Sequence, residues 1–124
     1  MGKKVLVAED SSVIQNLTKR ILSFQNYEII SMKNGKEVLD YLDKNDADII
    51  LMDINMPVMN GIDCAKAVRA LADKTKSSIP IIAITGNAQN HTVDFFHSIG
   101  INEFLPKPLN FDLLVELVNK YTQN

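Results

Sequence analysis

Asp48-Ile49-Ile50-Leu51-Met52-Asp53 places an unbroken apolar run between two acids. The run does not alternate polar and apolar residues, as a strand with one wet face would. A short continuous run suits a strand covered on both faces, the habit of parallel sheets. The strand is expected over Asp48–Met52. Outward from it, Lys4–Ala8, Glu28–Met32, Pro80–Ile84 and Glu103–Leu105 with the residues just before it repeat the pattern.

Between these runs the apolar period changes to three and four. Val13, Ile14, Leu17, Ile21 and Leu22 form one stripe, behind Ser11 or Ser12 as N-cap. Val38, Leu39 and Leu42 form a second, and Ala65, Val68, Leu71 and Ala72 a third. Ala88 to Ser98 gives a weaker fourth. Phe111, Leu114, Val115, Val118 and Tyr121 give a fifth, capped by Asn110. A β-α unit repeated five times requires crossovers. Right-handed crossovers place helices on both faces, which makes a doubly wound α/β sandwich. Its functional crevice lies at the carboxyl ends of the strands.

The chain has 124 residues, one domain by length over 1–124, and can bury a single core. Its 46% hydrophobic and 23% charged residues are ordinary for a globular domain. A net charge of −2 provides no basic stripe for phosphates, so direct nucleic-acid binding is not expected. Cys64 stands alone, which excludes an internal disulfide and makes a reducing cytoplasm the default. No apolar run approaches the ~20 residues of a membrane span, and the N-terminus lacks the apolar core of a signal peptide. Asp73 to Ser78 reads as a loop too short to divide domains.

The strand ends carry chemistry. Strand one runs into Glu9-Asp10, strand three into Asp53, strand four into Thr85-Gly86, and strand five into Lys107-Pro108. Three converging carboxylates repel and need a cation. Hard oxygen ligands with room for water suit Mg²⁺. A lysine and a hydroxyl beside them add donors for an anion on that metal, as phosphoryl transfer requires. Asp53 is the best candidate nucleophile, because a carboxylate can carry a phosphoryl group as a mixed anhydride. Each residue alone has an ordinary role: a helix cap, a turn, a solvated lysine. Their fall at successive strand ends sets the ordinary readings aside.

Val5-Leu6-Val7-Ala8-Glu9-Asp10, residues 50–61 (Ile-Leu-Met-Asp-Ile-Asn-Met-Pro-Val-Met-Asn-Gly), residues 81–88 (Ile-Ile-Ala-Ile-Thr-Gly-Asn-Ala) and Phe104-Leu105-Pro106-Lys107-Pro108 together resemble the receiver domain of two-component response regulators, over essentially the whole chain. The resemblance implies a flavodoxin-like, five-stranded parallel sheet of order 2-1-3-4-5. It makes Asp53 the phosphoacceptor, charged by a phosphohistidine on a histidine kinase or histidine phosphotransfer protein. It gives Glu9, Asp10, Asp53 and the backbone carbonyl of Asn55 to Mg²⁺. Thr85 and Lys107 would each meet a phosphoryl oxygen, and Gly86 would leave the site open and offer a backbone N–H. Phe104 would turn inward when Thr85 moves. The peptide between Lys107 and Pro108 is expected to be cis, which also lets the chain reverse and return the ammonium toward Asp53. Output would pass through the fourth helix, fifth strand and fifth helix, roughly Ala88 to Tyr121, to a downstream protein target or effector domain.

Two residues depart from the commonest family pattern. Glu9 replaces an Asp, and Phe104 lacks the hydroxyl of the frequent Tyr. Both variants, and Thr85-Gly86-Asn87-Ala88, have the flavour of receivers attached to hybrid sensor kinases. The alternative function is a Mg²⁺-dependent phosphatase working through an aspartyl phosphate. Dehalogenase-type phosphatases carry a second Asp two residues after the nucleophile, where this chain has Asn55, so rapid turnover is not expected. Only phosphorylation from phosphohistidine and slow self-dephosphorylation remain, whatever kinase activity a longer parent chain has. A nucleotide or flavin binder would need a phosphate-cradling glycine loop, and none is present. A receiver that only docks would not need Asp53, Thr85 and Lys107 together. Met52, Met56, Met59 and Cys64 read as packing residues, His91 and His97 as surface, and Asn60-Gly61 as a turn.

Overall fold

The computed structural model of the chain describes residues 3–86 and 93–122. The elements run β1 (Lys4–Ala8), α1 (Ser12–Ser23), β2 (Glu28–Met32), α2 (Gly35–Lys44), β3 (Ile49–Asp53), α3 (Gly61–Arg69), α4 (Lys74–Ser77), β4 (Ile81–Thr85), α5 (Val93–Ser98), β5 (Glu103–Pro106) and α6 (Phe111–Thr122). All five strands are parallel, in the order β2-β1-β3-β4-β5. The doubly wound sheet expected from the sequence is therefore present. No helix among the described residues is long and apolar enough to cross a membrane.

Every residue of β3 and β4 is buried. Alternate side chains of the strands feed two cores. Leu6, Ala8, Ile50, Met52 and Ala83 pack with Val38, Leu42, Cys64, Ala65, Val68 and Phe96 on one face. Val5, Val7, Ile49, Leu51, Ile82 and Ile84 pack with Leu22, Leu114 and Val118 on the other. Each buried Val, Leu, Ile or Met side chain contributes roughly 1.5–3 kcal/mol, enough to fix the sheet register and the strand ends with it. Side-chain caps set the helix starts: Ser11 accepts from Ile14 N, Asn34 from Glu37 N, Asn60 from Asp63 N and Asn110 from Leu113 N.

Six expectations need correction. α3 ends at Arg69, so Leu71 and Ala72 of the third stripe lie beyond it, and β5 occupies Glu103–Pro106 with none of the residues before Glu103. β3 and β4 each sit one residue later than expected, because the ladder continues to Asp53 and Thr85. Residues 74–77 form one helical turn rather than loop, held by Asp73, whose side chain accepts from Thr75 N and Lys76 N. The α1 stripe is rotated: Gln15, Thr18 and Leu22 are buried, while Val13 is 69% and Leu17 41% exposed. Asn60-Gly61 is a helix start rather than a turn, and the left-handed residue in that loop is Val58, with φ 67°. Met59 N donates to Pro57 O at 2.7 Å across Val58.

Arg69, at the end of α3, joins three segments. Its Nε and Nη2 donate to Gly100 O at 3.0 and 2.6 Å, its Nη1 to Ser77 O at 2.8 Å, and its Nη2 to Asn102 Oδ1 at 3.2 Å. Gly100 has φ 91°, and a Cβ there would meet Arg69 side-chain atoms at 2.6 Å. Both facts demand glycine.

Candidate active site at the carboxyl ends of the strands

β1, β3, β4 and β5 end side by side, so the residues just beyond each strand are brought to one edge. Glu9 is 1%, Asp53 3% and Thr85 2% exposed, giving the site a buried polar floor. Asp10 is exposed at the rim. Lys107 reaches back from β5: its Nζ donates to Asp53 Oδ2 at 2.9 Å and lies 3.8 Å from Glu9 Oε1. Lys107 N donates to Thr85 O at 2.8 Å, tying the β5 exit to the end of β4. The Lys107–Pro108 peptide is cis.

Asp53 Oδ1 accepts from Asn55 N at 3.0 Å, so the two oxygens of Asp53 have different partners. Glu9 Oε2 accepts from Ser11 N at 3.2 Å, whereas Glu9 Oε1 is buried with no hydrogen-bond partner among the described residues. Burial, with the adjoining Asp53 carboxylate, pushes the Glu9 carboxyl up to about 7, against the opposing pull of Ser11 N–H and Lys107. Burial works against the Lys107 charge. The hydrogen bond to Asp53 and the charges of Asp53, Glu9 and Asp10 outweigh it and hold the ammonium above its ordinary value.

Phe104 is half-buried, with its ring centroid 5.3 Å from that of Phe96 on α5. Gly86 is exposed, and a Cβ there would meet only Lys107 Cδ, at an ordinary 3.7 Å, so space does not explain this glycine. Asn87, Ala88 and His91 lie outside the described residues. His97 is exposed, and Cys64 is wholly buried with its thiol pushed up to about 12 by that burial.

Among the described residues no three His, Cys, Asp or Glu groups close into a ready-made metal cage. Mg²⁺ does not need one, since it keeps several waters and takes one or two carboxylates with phosphate oxygens. The hard oxygen donors of Glu9, Asp10 and Asp53 fit it, and the orphaned Glu9 Oε1 is an acceptor for which such an ion would compensate.

One residue of the site escaped the sequence reading. Gln15 of α1 is 8% exposed, and its Nε2 donates to Met32 O at 2.8 Å, Glu9 O at 3.3 Å and Val7 O at 3.5 Å. Its signal was the spacing Gln15, Thr18, Leu22, which a purely apolar stripe does not count.

Residues 5–119 match the family model described as response regulator receiver domain. Hybrid signal transduction histidine kinase I of Dictyostelium discoideum is 38% identical over 94% of this chain, and the match spans only 7% of that protein. Chemotaxis protein CheY1 of Helicobacter pylori is 37% identical over 91% of both chains. The receiver domain of a sensor histidine kinase from Pseudomonas aeruginosa PAO1 superposes with a TM-score of 0.88 at 26% identity over the full length of both. That crystal structure has a magnesium ion coordinated in the active site cleft.

Proposed function

The chain belongs to the response regulator receiver domain family of two-component and phosphorelay signalling, and from that premise we propose that Asp53 receives a phosphoryl group from a phosphohistidine and that residues 1–124 act as one switch domain. The observation that supports it is the Lys107 ammonium, 2.9 Å from Asp53 Oδ2 and 3.8 Å from Glu9 Oε1 over a buried floor. An Asp53 oxygen bonds to phosphorus as the phosphorus–nitrogen bond breaks, and the imidazole nitrogen keeps that electron pair. Asn55 N–H holds Oδ1, which orients the carboxylate. Lys107, already balanced between two acids, follows the new charge onto a phosphoryl oxygen, and Thr85 supplies a hydroxyl to another. Mg²⁺ held by Glu9, Asp10, Asp53 and the Asn55 carbonyl would offset charge on the transferring group.

The phosphodonor is a histidine kinase or a histidine phosphotransfer protein. An apolar groove of about 230 Å³ lined by Ile14, Leu17, Pro108, Leu109 and Phe111 leads up to Lys107 and offers it a seat. After transfer, the movement of Thr85 passes to Phe104. This ring has no hydroxyl and reports only through its packing on Phe96, toward a protein partner on the face made by α5, β5 and α6. Asn55 supplies no acid for rapid hydrolysis, so the aspartyl phosphate lasts as a signal and the chain is not a turnover enzyme.

Acetyl phosphate with Mg²⁺ tests this directly. Mass spectrometry should show one added phosphoryl group, and Asp53→Asn should show none. Stoichiometric labelling of Asp53→Asn at another residue would remove Asp53 from the role.

A further inference from the structure

We propose that Gln15 is a positioning residue that aims the Glu9 carboxylate into the metal site, an inference that rests on the reading of Glu9 as part of that site. Gln15 is one of the few buried polar side chains, and it lies on a helix rather than at a strand end. Its two amide hydrogens meet carbonyls on both sides of the β1 exit. Met32 O accepts Gln15 Nε2 at 2.8 Å and also Glu9 N at 3.0 Å. Glu9 O accepts the same Nε2 at 3.3 Å. The N–H and the C=O of Glu9 are therefore fixed against one pair of groups, the Met32 carbonyl and the Gln15 amide. That closure sets both backbone dihedrals of Glu9 and hence the direction of its side chain.

The closure has a particular use in this chain. Glu9 carries one more methylene than Asp and so has more rotamer freedom to lose on ordering. One carboxylate oxygen is held by Ser11 N–H, while Oε1 is buried beside the Lys107 ammonium with no hydrogen-bond partner among the described residues. A side chain presenting an unsatisfied oxygen keeps that pose only if the backbone beneath it cannot rotate away. Gln15 supplies the restraint without touching the metal, the phosphoryl group or the carboxylate.

The test is a double-mutant cycle on Mg²⁺ affinity, read by titrating the metal-free protein and following amide chemical shifts. Gln15→Met keeps the volume and removes the donors. It should weaken Mg²⁺ about 10-fold and speed hydrogen exchange of the Glu9 amide in the metal-free protein, while the β3 amides stay protected. In a Glu9→Gln background Gln15→Met should have no further effect on affinity. Unchanged affinity in Gln15→Met, or an equal loss in both backgrounds, overturns the proposal and leaves the site reading standing. Unchanged affinity in Glu9→Gln alone overturns both. If Gln15→Met does not fold, Gln15→Asn, whose amide falls one methylene short, is read in the same way.

Discussion

Gly61 lies against the carbonyl of Asp53: a Cβ at Gly61 would stand 2.5 Å from that oxygen and 2.9 Å from Ile54 Cα. Gly61 N also donates to Ile54 O at 2.9 Å, so the start of α3 is joined to the backbone that carries the acceptor. Two effects of Gly61→Ala oppose each other. Helix propensity favours alanine by up to ~1 kcal/mol, whereas overpacking against backbone costs about 1–3 kcal/mol. The clash should win. Gly61→Ala is expected to lower Tm by several degrees and to slow phosphorylation of Asp53. A raised Tm would mean that α3 can shift away freely.

Glu9 makes metal-free stability depend on pH. Its folded value near 7 lies above the ordinary 4.5, so the native state holds this proton more tightly than the unfolded chain does. The contribution is fully present below about 4.5 and lost as pH rises through about 7. Urea unfolding without metal at pH 5 and pH 8 should show this fall, and Glu9→Gln should reduce it. Equal pH dependence in wild type and Glu9→Gln would show that Glu9 titrates normally.

Lys107→Met keeps the apolar stem and removes the only ammonium shown on Asp53 and Glu9 among the described residues. Preorganised donors to a transferring group contribute ~10²–10³ in rate. Phosphorylation from acetyl phosphate should fall about 10²-fold with the circular dichroism spectrum retained. A rate within about threefold of wild type would take Lys107 out of the transfer step.

Cys64 is 0% exposed with a thiol near 12, and its Sγ faces Gly35 O at 3.5 Å. Native protein at pH 8 should leave an aromatic disulfide reagent unreacted for as long as the core stays closed, and should react fully in guanidinium. Prompt reaction of the native state would mean that the α2–α3 contact opens readily.

The strands were legible because Ile49 to Met52 and Ile81 to Ile84 are buried on both faces, and burial of that kind writes itself as an apolar run. The acids, hydroxyl and lysine were legible because a parallel sheet collects its strand ends at one edge. What the sequence hid depends on contacts far along the chain. Lys74–Ser77 buries nothing, so no periodicity marks its turn. Arg69 binds a carbonyl 31 positions later, a distance at which no local pattern speaks. Val13 and Leu17 obey helical spacing and yet face solvent, because spacing defines a face without saying what covers it. Gln15 was overlooked for the opposite reason, as a polar residue on the inward face.

The Arg69 guanidinium also has a mechanical consequence. Gly100 is held by Arg69, Gly100 N donates to His97 O, and Ile101 N donates to Phe96 O, so the carboxyl end of α5 is pinned. A swing of this helix would have its fulcrum at Gly100. Displacement would grow along an arm of about 10 Å toward Val93, the amino end of α5. A small push delivered there acts with the full leverage of the helix, while the same push near Gly100 moves nothing.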